Sequence, residues 1–270
     1  MSHVALNARA ALAVMRRDYQ VVLSYRVQLV STIFGAFLTL TIFYYVSRLV
    51  RVEAFASPDD YYAFVVVGIV ILQILNSVLV GPPNILRQEL LAGTFERIVL
   101  SPFGPVGGVV SMLLFPFVLA LVTGSVAMLF AVVVFGVDLE LSSAPLAIPA
   151  AVLGALAFMP FGVMLVAMVL IVKQATVGAS FVLAAVSLVA GFYFPTTLLP
   201  GWIEWASDVQ PFTPGVDLLR HLLLGSPLRE SAWLEVGKLL GFAAAMLPLS
   251  MVLLSLAVQF TRRRGTIIEY

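Results

Sequence analysis

The residues that could carry out chemistry in this chain are few, and they do not complete a site. Asp217 and His221 stand four positions apart with Arg220 next to His221, a spacing that fits one side of a helix. A hydrolytic or metal-dependent centre would also need a nucleophile, paired acids or further metal ligands. The only other histidine is His3, and the 270 residues include no cysteine. We therefore expect neither a catalytic nor a metal site.

The sequence also contains no nucleotide-binding phosphate loop. Such a loop ends in Gly-Lys followed by Ser or Thr. The two lysines, Lys173 and Lys238, are followed instead by Gln174 and Leu239. The chain has no visible ATPase site of its own, so any energy from ATP has to be supplied by a partner.

Long uncharged apolar stretches cover most of the chain, and each has the roughly 20 residues that a helix needs to cross a bilayer. They are residues 27–47, 61–86, 98–137, 141–172, 174–203 and 239–261. Only 11% of the residues are charged, against about 25% in soluble proteins. We predict an all-α integral membrane protein with six transmembrane helices in a single domain, residues 1–270. Prolines and glycines break the start of 98–137, which predicts one span there, at about 108–135.

Basic residues are distributed unevenly between the two sides of these spans. Two thirds of the 15 lysines and arginines fall on the side of the termini. Because cytoplasmic loops are enriched in Lys and Arg, we predict that both termini are cytoplasmic. The Ala-, Val-, Leu- and Gly-rich composition favours a bacterial gene and hence a multi-pass protein of the inner (plasma) membrane.

Two cytoplasmic segments could meet a soluble partner. In residues 1–26, Arg9, Arg16 and Gln20 share one helical face, which predicts an amphipathic helix on the membrane surface; a basic flank that only orients the first span is the alternative. Residues 84–101 predict two short helices with a break. There Asn84 would cap the first, Gly93 would end it, and Thr94 would cap the second.

The second segment resembles the permease subunits of ABC-2 (type V) ABC transporters. The resemblance rests on a charged, Gly-Thr-containing phrase that ends in Ser-Pro: Glu89-Leu90-Leu91-Ala92-Gly93-Thr94-Phe95-Glu96-Arg97-Ile98, followed by Ser101-Pro102. Arg16-Arg17-Asp18 resembles the start of such permeases. Leu199-Pro200-Gly201-Trp202 resembles the segment before their last span. The ending Ile267-Ile268-Glu269-Tyr270 departs from the usual one.

The resemblance implies an exporter of two permeases and two separate ATPases, with ATP and Mg bound by the ATPase and no cofactor on this chain. We expect a homodimer, no nucleic acid partner, and contact with membrane lipid. The implied ATPase-coupling residues are Arg16, Arg17, Arg87, Glu89, Gly93, Thr94, Glu96 and Arg97. Residues 194–238, rich in proline and tryptophan, would form short re-entrant helices on the extracytoplasmic side; ordinary interfacial anchoring is the alternative.

Uncharged polar and aromatic side chains of three spans could line a transport pathway. The candidates are Phe34, Phe37, Thr41, Tyr44, Gln73, Asn76 and Phe192. Membrane amides face either protein or a cavity, so helix packing and substrate contact both stay open for them. The apolar stretches contain no carboxylate of the kind that ion-coupled carriers use. This favours an external energy source and a hydrophobic or amphiphilic substrate, such as a drug-like compound, a lipid or a lipid-linked glycan. The alternative function is an ATPase-independent channel or secondary carrier.

Overall fold

The computed structural model describes residues 3–24, 26–50, 54–95, 104–172 and 175–264, and this part of the chain is all-helical. The helices are α1 (His3–Ser24), α2 (Arg26–Leu49), α3 (Pro58–Leu79), α4 (Gly81–Leu91), α5 (Gly104–Phe135), α6 (Ala144–Val172), α7 (Ala175–Val189), α8 (Gly201–Val209), α9 (Phe212–Leu224) and α10 (Ala232–Arg264). A 3₁₀ turn, Thr196–Leu198, precedes α8.

Within the described ranges, five segments are long and apolar enough to cross a membrane: Val30–Leu49, Pro58–Leu91, Val106–Phe135, Ala144–Val172 and Ala232–Arg263. Residues 104–135 form one helix, as predicted. The predicted fifth span, 174–203, differs, because its helix α7 has 15 residues and ends at Val189. Gly191 follows with a φ of +74°, a left-handed conformation that ends the helix. Phe192 therefore lies in a turn beyond α7.

Helices α6 and α3 form the centre of the bundle. More than half of the residues in their most apolar windows are buried, whereas α2 buries only 11% of its window. Helix α10 packs along α6, and α5 packs along α3. Their buried faces are rich in valine, alanine and glycine, which lets helix backbones approach closely in lipid.

Helices α3 and α4 follow each other as one rod, which is weakened where Pro82 and Pro83 lack the N–H groups that would bond the carbonyls of Val78 and Leu79. Val80, which joins them, has right-handed helical dihedral angles. Its N–H donates to the carbonyl of Asn76 at 2.8 Å, and its own carbonyl accepts from the N–H of Asn84 at 3.4 Å. The rod covers Pro58–Leu91 and extends the second span directly into α4.

Helix α1 lies beside the bundle and contacts α5 and α2. Leu12, Tyr19 and Leu23 are exposed on one face, with Arg16 and Gln20 next to them. At the opposite end of the bundle, the short helices α8 and α9 precede the last long helix. The short helical pieces predicted for 194–238 are therefore present.

Candidate functional site

Helix α4 begins earlier than the sequence suggested. Pro82 and Pro83 occupy its first turn, where backbone N–H groups have no acceptor within the helix and proline costs nothing. Asn84 consequently lies inside the helix, where its N–H bonds Val80. The prediction that Asn84 caps this helix is wrong, because the two prolines move the start to Gly81.

The end of α4 has the glycine stop that the sequence predicted. Gly93 has a φ of +67°, in the left-handed region. Its N–H donates to the carbonyl of Leu90 at 3.1 Å, and the N–H of Thr94 donates to that of Glu89 at 3.0 Å. These two bonds form the Schellman motif, which satisfies the last carbonyls of a helix. The position of Glu89 is thus fixed by the turn that follows it.

The hydroxyl of Thr94 donates to the carboxylate of Glu89 and also lies 3.2 Å from the Glu89 carbonyl. Thr94 therefore holds the Glu89 side chain as well as its backbone. The second short helix, which Thr94 was predicted to cap, falls in residues 96–103. These residues, including the candidates Glu96 and Arg97, lie outside the described ranges.

Arg17 of α1 joins this helix end through an ion pair. Its Nη1 lies 3.1 Å from Oε1 of Glu89, and its Nη2 lies 2.8 Å from Oδ1 of Asp18. One guanidinium is thus shared between two carboxylates. Burial raises the pKa of Asp18, an effect that Arg17 opposes. We call Arg17, Asp18, Glu89 and Thr94 the α1–α4 junction.

The junction brings together the two segments that sequence reasoning assigned to a soluble partner. A partly exposed ion pair contributes roughly 0.2–1 kcal/mol. The Arg17–Glu89 ion pair therefore orients α1 against α4 more than it stabilises the fold. Arg16 and Arg87 are exposed on α1 and α4 respectively. The two helices together present basic side chains at one end of the bundle.

A cavity of about 510 Å³, the central cavity, lies between α2, α3 and α5. All of its polar lining side chains are uncharged. Gly35 and Ala36 of α2 are small and leave space for the cavity. It is lined by Thr32, Gly35, Ala36, Thr39, Ile69, Leu72, Gln73, Asn76, Ser77, Val80, Gly81, Asn84, Leu119, Ala120, Thr123 and Tyr193. This volume lies within the range of small-molecule sites, about 300–1,000 Å³.

The predicted amides Gln73 and Asn76 both line the central cavity. Hydroxyls in the cavity wall bond within their own helices: Thr39 donates to Gly35, and Ser77 donates to Gln73. The side-chain amides of Gln73 and Asn76 have no hydrogen-bond partner among the described residues. They are therefore available to bind a polar group of a ligand.

The aromatic candidates of α2 lie on another face of that helix. Phe37 stacks on Phe130 with 3.9 Å between ring centroids, and Tyr44 stacks on Phe135 at 4.6 Å. Thr41 donates to the backbone of its own helix. None of these α2 residues lines the central cavity. These contacts favour helix packing for Phe37 and Tyr44.

The remaining aromatic candidates are also separate from the central cavity. Phe34 is 65% exposed on the surface of α2, whereas Phe192 is fully buried. Sequence reasoning missed Thr39 and Thr123, which do line the cavity. Thr32, Ala36 and Thr39 are spaced so that they share one face of α2, which is small and polar. This sequence pattern indicates the part of the cavity wall that α2 forms.

Arg220 ties the opposite end of the bundle together. Its Nη2 donates to the carbonyls of Phe192 at 2.9 Å and Phe64 at 3.1 Å. The guanidinium lies over the Phe64 ring, 3.3 Å from its centroid. Burial lowers the pKa of Arg220 to about 9, so it remains charged at neutral pH.

The three residues that could have formed a catalytic cluster point to different partners. Nδ1 of His221 lies 2.8 Å from the carbonyl of Ser226, and Asp217 pairs with Arg229 at 3.8 Å. Nε and Nη2 of Arg220 donate to backbone carbonyls. These separate contacts hold α9 against its neighbours. The backbone carbonyl of Phe192 takes part as an acceptor for Arg220.

Comparison with known families gives a match over most of the chain. Residues 5–224 match the model of the ABC-2 type transporter family, which covers the junction, the central cavity and the Arg220 contacts. No curated protein matches the chain. Since the match covers most of the chain and the structure has several membrane-length helices, the chain is a multi-pass membrane protein and a transporter permease subunit. It belongs to the ABC-2 type transporter family.

Proposed function

We propose that this chain is the permease of an ATP-driven exporter for hydrophobic or amphiphilic compounds. One observation carries the proposal: the rod α3–α4 contributes both to the α1–α4 junction, through Glu89, and to the wall of the central cavity, through Gly81 and Asn84. A force applied to α4 would therefore reach the cavity directly, without a separate relay.

The energy source in this proposal is a separate ABC ATPase, the kind of partner with which this family normally works. Two ATPase copies and two permease copies, as a homodimer, would bind ATP and Mg only on the ATPase chains. The ATPase would contact α1 and the exposed side of α4 that carries Arg87. The lightly covered helix α2 would face lipid or the second permease copy.

A neutral, partly apolar cavity supports the substrate class. The central cavity is lined by apolar side chains and a few neutral polar groups. A fully charged solute would find no counter-charge there, whereas a lipid, a lipid-linked glycan or a drug-like compound could place a hydroxyl or carbonyl near Gln73 and Asn76. That the substrate moves out of the cytoplasm is proposed from the resemblance to ABC-2 permeases alone.

The proposed topology has six spans and cytoplasmic termini in a bacterial inner membrane. Helix α7 is about 22 Å long by the α-helical rise, shorter than the ~30 Å hydrocarbon core. We propose that α7 and the turn after it complete the fifth span. Helices α8 and α9 would then be re-entrant on the outer side, and α1 would lie in the inner interface with Leu12 and Tyr19 toward lipid.

Site-specific crosslinking tests this proposal, because the natural chain has no cysteine to interfere. A benzophenone maleimide attached to Arg87→Cys should capture a soluble, phosphate-loop-containing protein in native membranes. Ser142→Cys, in the exposed loop between α5 and α6, is the matched control and should not capture it. If the chain purifies alone in mild detergent and neither position captures an ATPase, the proposal fails.

A further inference from the structure

A second cavity, the acidic pocket, lies at the end of the bundle opposite the α1–α4 junction. It has a volume of about 370 Å³ and is enclosed by α8, α9, the loop after α9 and the start of α10. Six of its lining side chains are charged: Asp208, Asp217, Arg229, Glu230, Glu235 and Lys238. Four carboxylates face two cations, so the pocket has two negative charges in excess when all six groups are ionised.

The two cations in the pocket are already shared among all four carboxylates. Arg229 lies 3.7 Å from Asp208 and 3.8 Å from Asp217, which is beyond hydrogen-bond length. Lys238 donates to Glu230 in a close contact. The oxygens of Asp208 and Asp217 therefore retain capacity to accept hydrogen bonds.

Glu235 is the residue that the pocket leaves unsatisfied. It is 3% exposed, and its Oε2 has no hydrogen-bond partner among the described residues. The nearest cation, Nζ of Lys238, is 3.8 Å away and is engaged by Glu230. The hydroxyl of Ser207, another lining residue, donates to a backbone carbonyl instead. A buried carboxylate oxygen without a donor is costly, and a bound donor would remove that cost.

We propose that the acidic pocket binds an alkylammonium group, with Glu235 and Asp217 accepting its N–H hydrogen bonds. Carboxylates act as acceptors, so the ligand has to supply both donors and positive charge. Quaternary ammonium groups lack N–H donors and are recognised by aromatic cages, but this pocket has no aromatic lining. Within the described ranges no group of three or more His or acidic residues could hold a metal ion.

The surroundings of the pocket suit a ligand at the membrane surface. Trp202 and Trp205 on α8 and Trp233 on α10 are all strongly exposed. Exposed tryptophans favour the depth of lipid headgroups. The ammonium could therefore belong to an ethanolamine phospholipid or to a soluble amine, which share the same chemistry. This inference concerns a site separate from the central cavity and does not depend on the direction of transport.

Calorimetric titration of the purified full-length protein tests the proposal, with ethanolamine as the probe. Ethanolamine should bind saturably, whereas tetramethylammonium and ethylene glycol should not. Glu235→Gln keeps the shape but removes the charge, and should weaken binding at least tenfold. Glu140→Gln, an exposed carboxylate outside the pocket near the same end, should bind like the natural protein. Lys238→Met should bind more tightly, because it removes a competing cation.

A lipid experiment separates the two sources. Nanodiscs of phosphatidylcholine with and without phosphatidylethanolamine would be analysed by native mass spectrometry for retained lipid. Retention of phosphatidylethanolamine that Glu235→Gln abolishes assigns the site to a headgroup, and ethanolamine binding without lipid retention assigns it to a soluble amine. Asp217→Asn replaces Glu235→Gln if that variant does not fold. Absence of both kinds of binding, or equal binding by natural and variant proteins, overturns the proposal.

Discussion

Gly162 of α6 lies directly against the carbonyl oxygen of Val78 in α3. A β-carbon at position 162 would sit 2.2 Å from that oxygen, closer than any real contact. The two helices at the centre of the bundle therefore meet backbone to backbone at this point. Small residues at such crossings let helices pack in lipid, where no hydrophobic driving force acts between them.

Gly162→Ala should destabilise the protein strongly, because neither backbone can move aside without opening the α3–α6 interface. We expect a loss of about 3 kcal/mol or more, at the upper end of overpacking effects. Melting in detergent, followed by fluorescence size-exclusion, measures it. Gly154→Ala on the same helix is the control, since its added carbon would meet Phe158 at an ordinary 3.8 Å. Equal melting temperatures would contradict the close crossing.

The Arg17–Glu89 ion pair predicts a coupled pair of mutations. Arg17→Gln and Glu89→Gln should each reduce transport-coupled ATP hydrolysis several-fold, because each frees α4 from α1. The double variant should be no worse than the more damaging single one, since both remove the same contact. ATPase assays on the complex in nanodiscs measure this. Strictly additive losses would mean that the two residues act separately.

Gly93→Ala should loosen the end of α4. A β-carbon in the left-handed conformation costs roughly 1–2 kcal/mol, because it crowds the following carbonyl. Hydrogen exchange of the α4 amides should therefore become about tenfold faster. Gly81→Ala, at the other end of the same helix and with open space around its added carbon, should leave exchange unchanged or slower. Unchanged protection in Gly93→Ala would argue against the Schellman stop.

The central cavity predicts a separation between recognition and packing. Asn76→Leu should change substrate-stimulated ATPase activity by several-fold while leaving the melting temperature unchanged, because its side-chain amide has no hydrogen-bond partner among the described residues. Phe37→Ala should instead lower stability by at least about 0.5–1.5 kcal/mol, the value of an aromatic pair beyond the area that it buries. Parallel activity and melting measurements test both. If Asn76→Leu lowered only the melting temperature and Phe37→Ala changed only the activity, the substrate pathway would instead lie along the aromatic face of α2.

Arg220→Lys should destabilise the protein despite keeping the charge. A lysine cannot bond the carbonyls of Phe64 and Phe192 at once while also stacking on a ring. We expect a loss of about 1.5–3 kcal/mol, the value of hydrogen bonds from a charged group. Thermal melting of the two proteins measures it. Retention of the natural melting temperature would show that the stacked, two-carbonyl contact contributes little.

The sequence predicted the fold class and the general position of most helices, because long uncharged runs in lipid have few alternatives. It predicted the left-handed Gly93 for a local reason, since glycine is strongly favoured at such a helix end. The start of α4 differs from the prediction because Pro82 and Pro83 fix the first turn more strongly than Asn84 favours a cap.

Contacts between residues far apart in the chain could not be predicted from the sequence. Arg17 and Glu89 are far apart along the chain, and their pairing depends on how α1 lies beside the bundle. Arg220 stood in an apolar helix beside two titratable residues, yet its carbonyl partners come from two other segments. Periodicity placed Phe37 and Gln73 on definite faces but could not determine which face opens onto a cavity.

The join between α3 and α4 has a mechanical consequence. Pro82 and Pro83 cannot donate the hydrogen bonds that would tie α4 to the carbonyls of Val78 and Leu79 in α3. The segment is therefore weakest just beyond the crossing at Gly162, where α3 lies against α6. A push on Glu89 would bend it there and displace Gly81 and Asn84 in the cavity wall, while α3 keeps its place in the bundle.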